Sequence, residues 1–182
     1  MSRTDARIRY TQGVLKQALL SFLQEKPINK ITVKEVCERA ELNRATFYAH
    51  YSDCFALLES IEEDLLEAFQ QSLKLVDSFD VTALIEAIYT MIEQQQEACR
   101  VLIFQNVCPN VLRRMISLAR SKSIAYWKQH LHRVTDAELE MLYTHLSNGL
   151  MHVVVEDYEK YSREEVVRFV NRIVRCSLSQ FQ

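Results

Sequence analysis

The sequence predicts an all-α protein of about nine helices, with a three-helix head at the N-terminus joined by one long helix to a helical body. Three observations predict it. Only two Gly and two Pro occur in 182 residues, too few turn formers for an all-β chain or an enzyme built on glycine-rich loops. Apolar residues recur at spacings of three and four along most of the chain. Three capping boxes, Thr32 with Glu35, Thr135 with Glu138 and Ser162 with Glu165, mark helix starts, because in each the hydroxyl and the carboxylate satisfy orphan amides. A hydrophobic content of 48% supplies a core for one compact unit or two small domains.

Taken in order, residues 5–25 form a first helix with Ile8, Leu15, Ala18, Leu19 and Phe22 on one face, ended by Pro27. A second, short helix starts at Val33 and stops near Ala40, its stripe made by Val33, Val36 and Ala40. Asn43 caps a third over residues 44–51, which turns Phe47 and Tyr51 inward. Two short helices this close together meet the requirement of a helix-turn-helix. Ser52 caps a long fourth helix to about Val76, with Asp53 in its first turn, where the dipole favours a negative charge. Its inner face is Phe55, Leu58, Ile61, Leu65, Phe69 and Leu73, and Glu59, Glu62, Glu63 and Glu67 face out. A fifth helix, capped by Asp80 or Ser78, runs to about Ala98 with Leu84, Ile88 and Met91 or Ile92 on one side. Residues 99–107 are short and very apolar, which predicts a buried connecting helix broken by Pro109. Asn110 then caps a helix to about His132, whose Arg113, Arg114, Arg120, Lys122 and Lys128 spread around it as a solvated surface. The last two helices begin near Asp136 and Arg163. Gly149 interrupts the first of them, which predicts close approach of another helix there. The last is apolar on more than one side through Val166, Phe169, Val170, Ile173, Val174 and Leu178, so one side needs a further partner, and pairing with a second copy of the chain is the economical solution.

The net charge of -2 hides an asymmetry: residues 1–50 hold nine Lys and Arg against five Asp and Glu, and the remainder thirteen against nineteen. The basic end is the end with the helix-turn-helix, as suits a nucleic-acid-binding head. On the third helix Arg44, Ala45, Tyr48 and His50 share or flank the outward face, a surface of donors and a small residue suited to phosphate oxygens and base edges. The five Cys have no C-x-x-C pair and no His at zinc-like spacing, which predicts reduced thiols and no metal centre. His145 and His152 lie about 10 Å apart along a helix, too far to share one metal. No G-x-x-x-x-G-K, H-E-x-x-H or clustered carboxylate and His motif is present, so an enzyme and a cofactor are not expected. No apolar run approaches the roughly 20 residues that span a bilayer, and a cytoplasmic protein with no membrane partner is expected.

The run T-V-x-x-V-x-x-x-A-x-L-N-x-A-T-F-Y-x-H-Y from Thr32, followed by S-D-x-x-x-L-L, resembles the DNA-binding domain of the TetR family of transcriptional regulators. The resemblance covers roughly residues 7 to 60, and Ala45 to Tyr51 is its most specific part. It implies a DNA-binding domain over residues 1–51 and a ligand-binding and dimerisation domain over 52–182. It further implies a homodimer formed through the last two helices, a palindromic double-stranded operator, and repression relieved by a small-molecule effector. Carried onto this chain, Arg44 and Tyr48 with Ala45 meet the groove or phosphates, and Thr46 and His50 meet phosphates. Asn43 opens that helix, Thr32 and Lys34 position the backbone at the start of the preceding one, and Arg3, Arg7 and Arg9 reach flanking phosphates. Tyr89, Phe104, Trp127, Tyr143 and His145 lie in the segments that would line an effector pocket. Two positions depart from the family's pattern. Glu41 stands where the turn usually has Gly, and Cys54 where a phosphate-contacting Lys is usual. A thiol at a helix N-terminus tends to have a lowered pKa, which suggests a redox role for Cys54. The alternative reading is a helical protein-interaction module with a degenerate helix-turn-helix.

Overall fold

Few glycines and frequent caps leave helix as the favoured backbone along this chain, and the computed structural model describes residues 3–75, 79–156, 158 and 160–181. Among these residues there are nine α-helical segments and no strand: α1 (Arg3–Leu23), α2 (Val33–Arg39), α3 (Arg44–Tyr48), α4 (Cys54–Ser72), α5 (Thr82–Gln94), α6 (Gln96–Ala98), α7 (Pro109–His130), α8 (Asp136–Glu156) and α9 (Arg163–Ser179). None of the described helices is long and apolar enough to cross a membrane. The chain divides into two compact units, Met1–Leu65 with Glu97–Val107, and Leu66–Gln96 with Cys108–Gln182.

The first unit packs α1 on α2 and α2 on α3. Leu15, Leu19, Val36, Phe47, Leu57 and Leu65 are fully buried in it. Lys16 Nζ reaches Asp64 at 2.5 Å and ties α1 to α4. The apolar stretch after α6 is buried as its composition predicts, through Cys99, Val101 and Leu102. It winds as a π-helix over Cys99–Phe104, a wider turn than periodicity reveals. Asn106, at φ 54°, ends it. Asn tolerates that left-handed conformation better than most residues.

The second unit pairs α7 with α8, α5 with α9 and α8 with α9. Ile85, Ile88, Met115, Leu139, Val154 and Leu178 form its deepest layer. Polar clamps hold α9 in place. Asp80 accepts from the Thr82 amide at 2.9 Å, from Asn171 Nδ2 at 3.1 Å and from Arg175 Nη2 at 2.8 Å. These bonds, those from Thr82 foremost, hold its carboxyl at about 2. Arg163 donates to the Glu86 carbonyl at 2.7 Å and lies 3.3 Å from Glu93. The amides of His132 and Arg133 donate to the Phe181 carbonyl at 3.0 and 3.3 Å and pin the end of the chain.

All three predicted capping boxes are present. Several boundaries differ from the sequence reading. α4 is capped by Asp53, whose Oδ1 accepts from the Ala56 amide at 2.8 Å, and not by Ser52. In that register Cys54 takes the buried position and Phe55 is 57% exposed. Ile8 is exposed too, because α1 begins to meet its neighbours only at Thr11. Gln95 interrupts the predicted fifth helix at φ -112° and ψ 34°. Pro109 opens α7 as its first residue, where a missing amide proton costs nothing. A Cβ on Gly149 would meet nothing within 4 Å, so among the described residues no other helix closely approaches it. The predicted end of α4 near Val76 and the alternative cap Ser78 lie outside the described residues, as does the side chain of Arg3.

Candidate nucleic-acid interface

The exposed face of α3 carries Arg44, Ala45 and Tyr48, and local bonds fix its orientation step by step. Thr32 Oγ1 accepts from the Glu35 amide at 3.3 Å, and Glu35 Oε2 accepts from the Thr32 amide at 2.9 Å. The same carboxylate takes Lys26 Nζ at 2.6 Å. These bonds, Lys26 first and then Thr32, pull the Glu35 carboxyl down to about 2. At the other end of α2, the Arg39 guanidinium lies 3.9 Å from the centre of the Phe22 ring and donates to Ser21 Oγ at 2.8 Å. The segment that follows α1 therefore grips the start of α2, and α1 itself grips its end.

The turn from α2 to α3 is a Schellman motif. The Leu42 amide donates to the Cys37 carbonyl at 2.9 Å and the Glu41 amide to the Glu38 carbonyl at 3.3 Å. Glu41 adopts φ 55° to close it. A side-chain-bearing residue in that region stores strain on the order of 1 kcal/mol. Asn43 then caps α3, its Oδ1 accepting from the Thr46 amide at 2.8 Å and from Thr46 Oγ1 at 3.0 Å. Phe47 is fully buried, with its ring 5.6 Å from Tyr48 and 5.9 Å from Tyr51. A helix anchored so firmly on one side presents a fixed set of side chains on the other.

Of the eight side chains expected at this surface, Arg44, Ala45 and Tyr48 project outward from α3, Tyr48 being 57% exposed. No ion pair engages Arg44 among the described residues. Lys34 is exposed on α2, 3.7 Å from Glu38. A surface pair of that kind is worth little, so the ammonium is available to another anion. Thr32, Asn43 and Thr46 are occupied in the caps. His50 is half-buried beside Tyr51, ring centres 6.3 Å apart. Cys54 is buried, and burial foremost, with Asp53 nearby, pushes its thiol up to about 11. It is therefore no low-pKa redox thiol, and it offers no side chain where a phosphate-contacting Lys would stand.

The basic residues of the second unit behave differently. Arg120 pairs bidentately with Glu140, Lys128 with Asp136 at 2.9 Å, and Lys122 donates to the Leu73 carbonyl. That unit contains a partly open cavity of about 80 Å³. Trp127 and Tyr143 line it, ring centres 6.1 Å apart, with Phe69, Ile88, Ile116 and Leu146. The Tyr143 phenol donates to the Ile116 carbonyl, and burial pushes its pKa up to about 12. Ser147 also lines the cavity beside Tyr143, and its buried Oγ has no partner in good hydrogen-bond geometry. It went unnoticed in the sequence, although it lies one turn after Tyr143 on the same face of α8. The other three expected pocket residues lie elsewhere. Tyr89 is buried off the cavity, stacked 5.5 Å from Tyr158 beneath Arg163. His145 is exposed, since two helical positions carry it to the far side of α8 from Tyr143. Phe104 is half-buried in the first unit. Among the described residues no group of three or more His, Cys, Asp or Glu side chains is disposed to hold a metal ion.

No protein-family model matches the chain. Over 62 residues it is 37% identical to YxbF, an HTH-type transcriptional regulator of Bacillus subtilis strain 168; that stretch is 34% of this chain and spans only 16% of the relative's length. A TetR transcriptional regulator from Streptococcus agalactiae 2603V superposes with a TM-score of 0.67 at 24% identity, covering 94% of this chain and 97% of that one. The structure of SmeT in complex with triclosan superposes with a TM-score of 0.62 at 13% identity, covering 92% and 90%.

Proposed function

We propose that this chain, which has the all-α fold of TetR-family transcriptional regulators, is a cytoplasmic homodimeric repressor that binds a palindromic operator and releases it when a small molecule enters the body. The observation that carries the reading is the outward face of α3. Arg44, Ala45 and Tyr48 stand exposed on a helix locked from behind by Phe47 and at its start by Asn43. That is the arrangement a recognition helix needs, with donors presented rigidly to base edges and phosphates. In this reading residues 1–51 bind DNA and residues 52–182 bind effector and dimerise.

One such head makes too few contacts for tight specific binding, whereas two heads held a helical turn apart read a palindrome. The uncovered apolar surface supports a dimer: Phe169 is 47% exposed on α9 and Met141 62% exposed on α8, with Ile173 also uncovered. The cavity beside Trp127 supports an effector, and SmeT, which shares the fold, is known with triclosan bound.

The test is a titration into labelled DNA from upstream of the chain's own gene, against scrambled DNA of equal length, at several salt concentrations. Specific binding about a thousandfold or more tighter, with a steep salt dependence, is the expected result. Weak and equal binding to both would sink the reading for that operator and favour an interaction module. Arg44→Ala is expected to weaken specific binding by about 1–3 kcal/mol if the side chain meets a base, whereas equal loss on both DNAs would reassign it to a phosphate.

A further inference from the structure

We infer that the cavity of the second unit selects an uncharged, largely apolar molecule of roughly five to eight non-hydrogen atoms, carrying one hydrogen-bonding group that Ser147 Oγ receives. The inference rests on the reading of this body as an effector site and names the chemistry of the effector. Size comes from the cavity volume of about 80 Å³. A single water needs about 10–15 Å³ by the same kind of measure, so the space suits a small molecule.

Charge is excluded by the lining. No Asp, Glu, Lys, Arg or His is part of it, and its side chains able to hydrogen-bond are Ser123, Trp127, Tyr143 and Ser147. A carboxylate or ammonium entering there would lose its hydration and meet no counter-ion. The position of the hydrogen bond follows from which polar side-chain atom of the lining is buried from solvent without a partner in good geometry. The Tyr143 proton is committed to the Ile116 carbonyl, while the Ser147 hydroxyl, shielded from solvent beside the Tyr143 phenol, has no partner in good hydrogen-bond geometry. A ligand hydroxyl or carbonyl completes that site, whereas a pure hydrocarbon leaves it as it is.

Trp127 lines the cavity and is the only tryptophan of the chain, so its fluorescence reports occupancy directly. The full-length protein is titrated with pentanol, benzene, pentanoate and pentylammonium. Pentanol and benzene are expected to give saturable changes and the two ions none. Ser147→Ala should weaken pentanol by roughly three- to tenfold and leave benzene unchanged, the loss expected for one hydrogen bond. Ala119→Leu, which fills the space, should abolish both while circular dichroism shows the helices intact. Binding of the ions as tightly as pentanol, binding of none of the four probes, or an equal effect of Ser147→Ala on pentanol and benzene would each overturn the inference. Operator titrations with and without pentanol separate the two readings. Pentanol that binds without changing operator affinity leaves the ligand class standing and removes the effector role.

Discussion

Both units carry capping boxes that bond over three residues, but the longer polar ties reach further along the chain in the second unit than in the first. In the first, Thr32 meets Glu35, Asn43 meets Thr46 and Asp53 meets the Ala56 amide, each three residues away, and a longer side-chain tie, Lys16 to Asp64, spans 48. In the second, Tyr143 reaches back to Ile116, Arg163 to Glu86 and Arg175 to Asp80, across 27, 77 and 95 residues. Among the described residues, the Tyr89 hydroxyl, Ser147 Oγ, Arg163 Nε and Asn171 Oδ1 of the second unit are buried without a partner in good geometry, against the Tyr51 hydroxyl alone in the first. Local bonds fix the caps and turns of the helix-turn-helix from residues close by in the chain. Long-range bonds, with some groups left over, make a shape that can repack around a guest.

Overpacking should expose that difference most strongly. Val36→Phe, at a fully buried site of the first unit, is expected to cost about 1–3 kcal/mol in urea unfolding. Ala119→Leu, beside the cavity of the second, should be tolerated within about 1 kcal/mol because space already exists. Equal losses would mean that the second unit is as tightly packed as the first. Glu41→Gly should stabilise the first unit by about 0.5–1 kcal/mol, the relief at φ 55° being partly offset by the extra freedom of an unfolded glycine. A loss would show that the Glu41 side chain makes a stabilising interaction.

The chain's two glycines sharpen the comparison further. Both sit in helices with open space where a Cβ would go. Gly13→Ala in α1 is expected to raise the melting free energy by up to about 1 kcal/mol. Gly149→Ala in α8 should do the same in isolated chains but weaken self-association if a second copy packs there, which sedimentation equilibrium would detect.

Acid should have the smallest effect in moderate conditions, and it acts on both units. Glu35 is depressed from 4.5 to about 2 and Asp80 from 3.8 to about 2. Each contributes stability that is fully present above its unfolded value and is lost as pH falls through that window. Urea midpoints measured down to about pH 2 should therefore decline, less steeply in Glu35→Gln and in Asp80→Asn. An unchanged slope in Glu35→Gln would show that its bonds with Lys26 and Thr32 do not survive in solution.

Features set by near neighbours in the chain were legible from sequence. The capping boxes, the Schellman position of Glu41 and the inner pair Phe47 and Tyr51 all lie within a turn or two of the residues that decide them. The two-sided apolar pattern of α9 was legible as well, since Val166, Val170 and Val174 are buried and Phe169 and Ile173 are not. Ser52 and Asp53 are both good caps, and a shift of one residue between them turns Phe55 outward and Cys54 inward. Periodicity cannot resolve such a shift. The cavity was half-visible: Trp127 and Tyr143 are large and lie on apolar stripes, but Phe79 and Ser147 join them only through tertiary packing. Tyr89 has the same local pattern as Tyr143 and ends up elsewhere, because Tyr158 and Arg163 claim its ring.

The π-helical stretch has a consequence for modular exchange. Residues 97–107 belong to the first compact unit although more than 30 residues of the second precede them in the chain. Cys99, Val101 and Leu102 are among its fully buried side chains. A chimera that transplants only a contiguous N-terminal piece leaves those side chains behind and takes a head with a gap in its interior. Moving the first unit intact between relatives therefore means moving two pieces of chain.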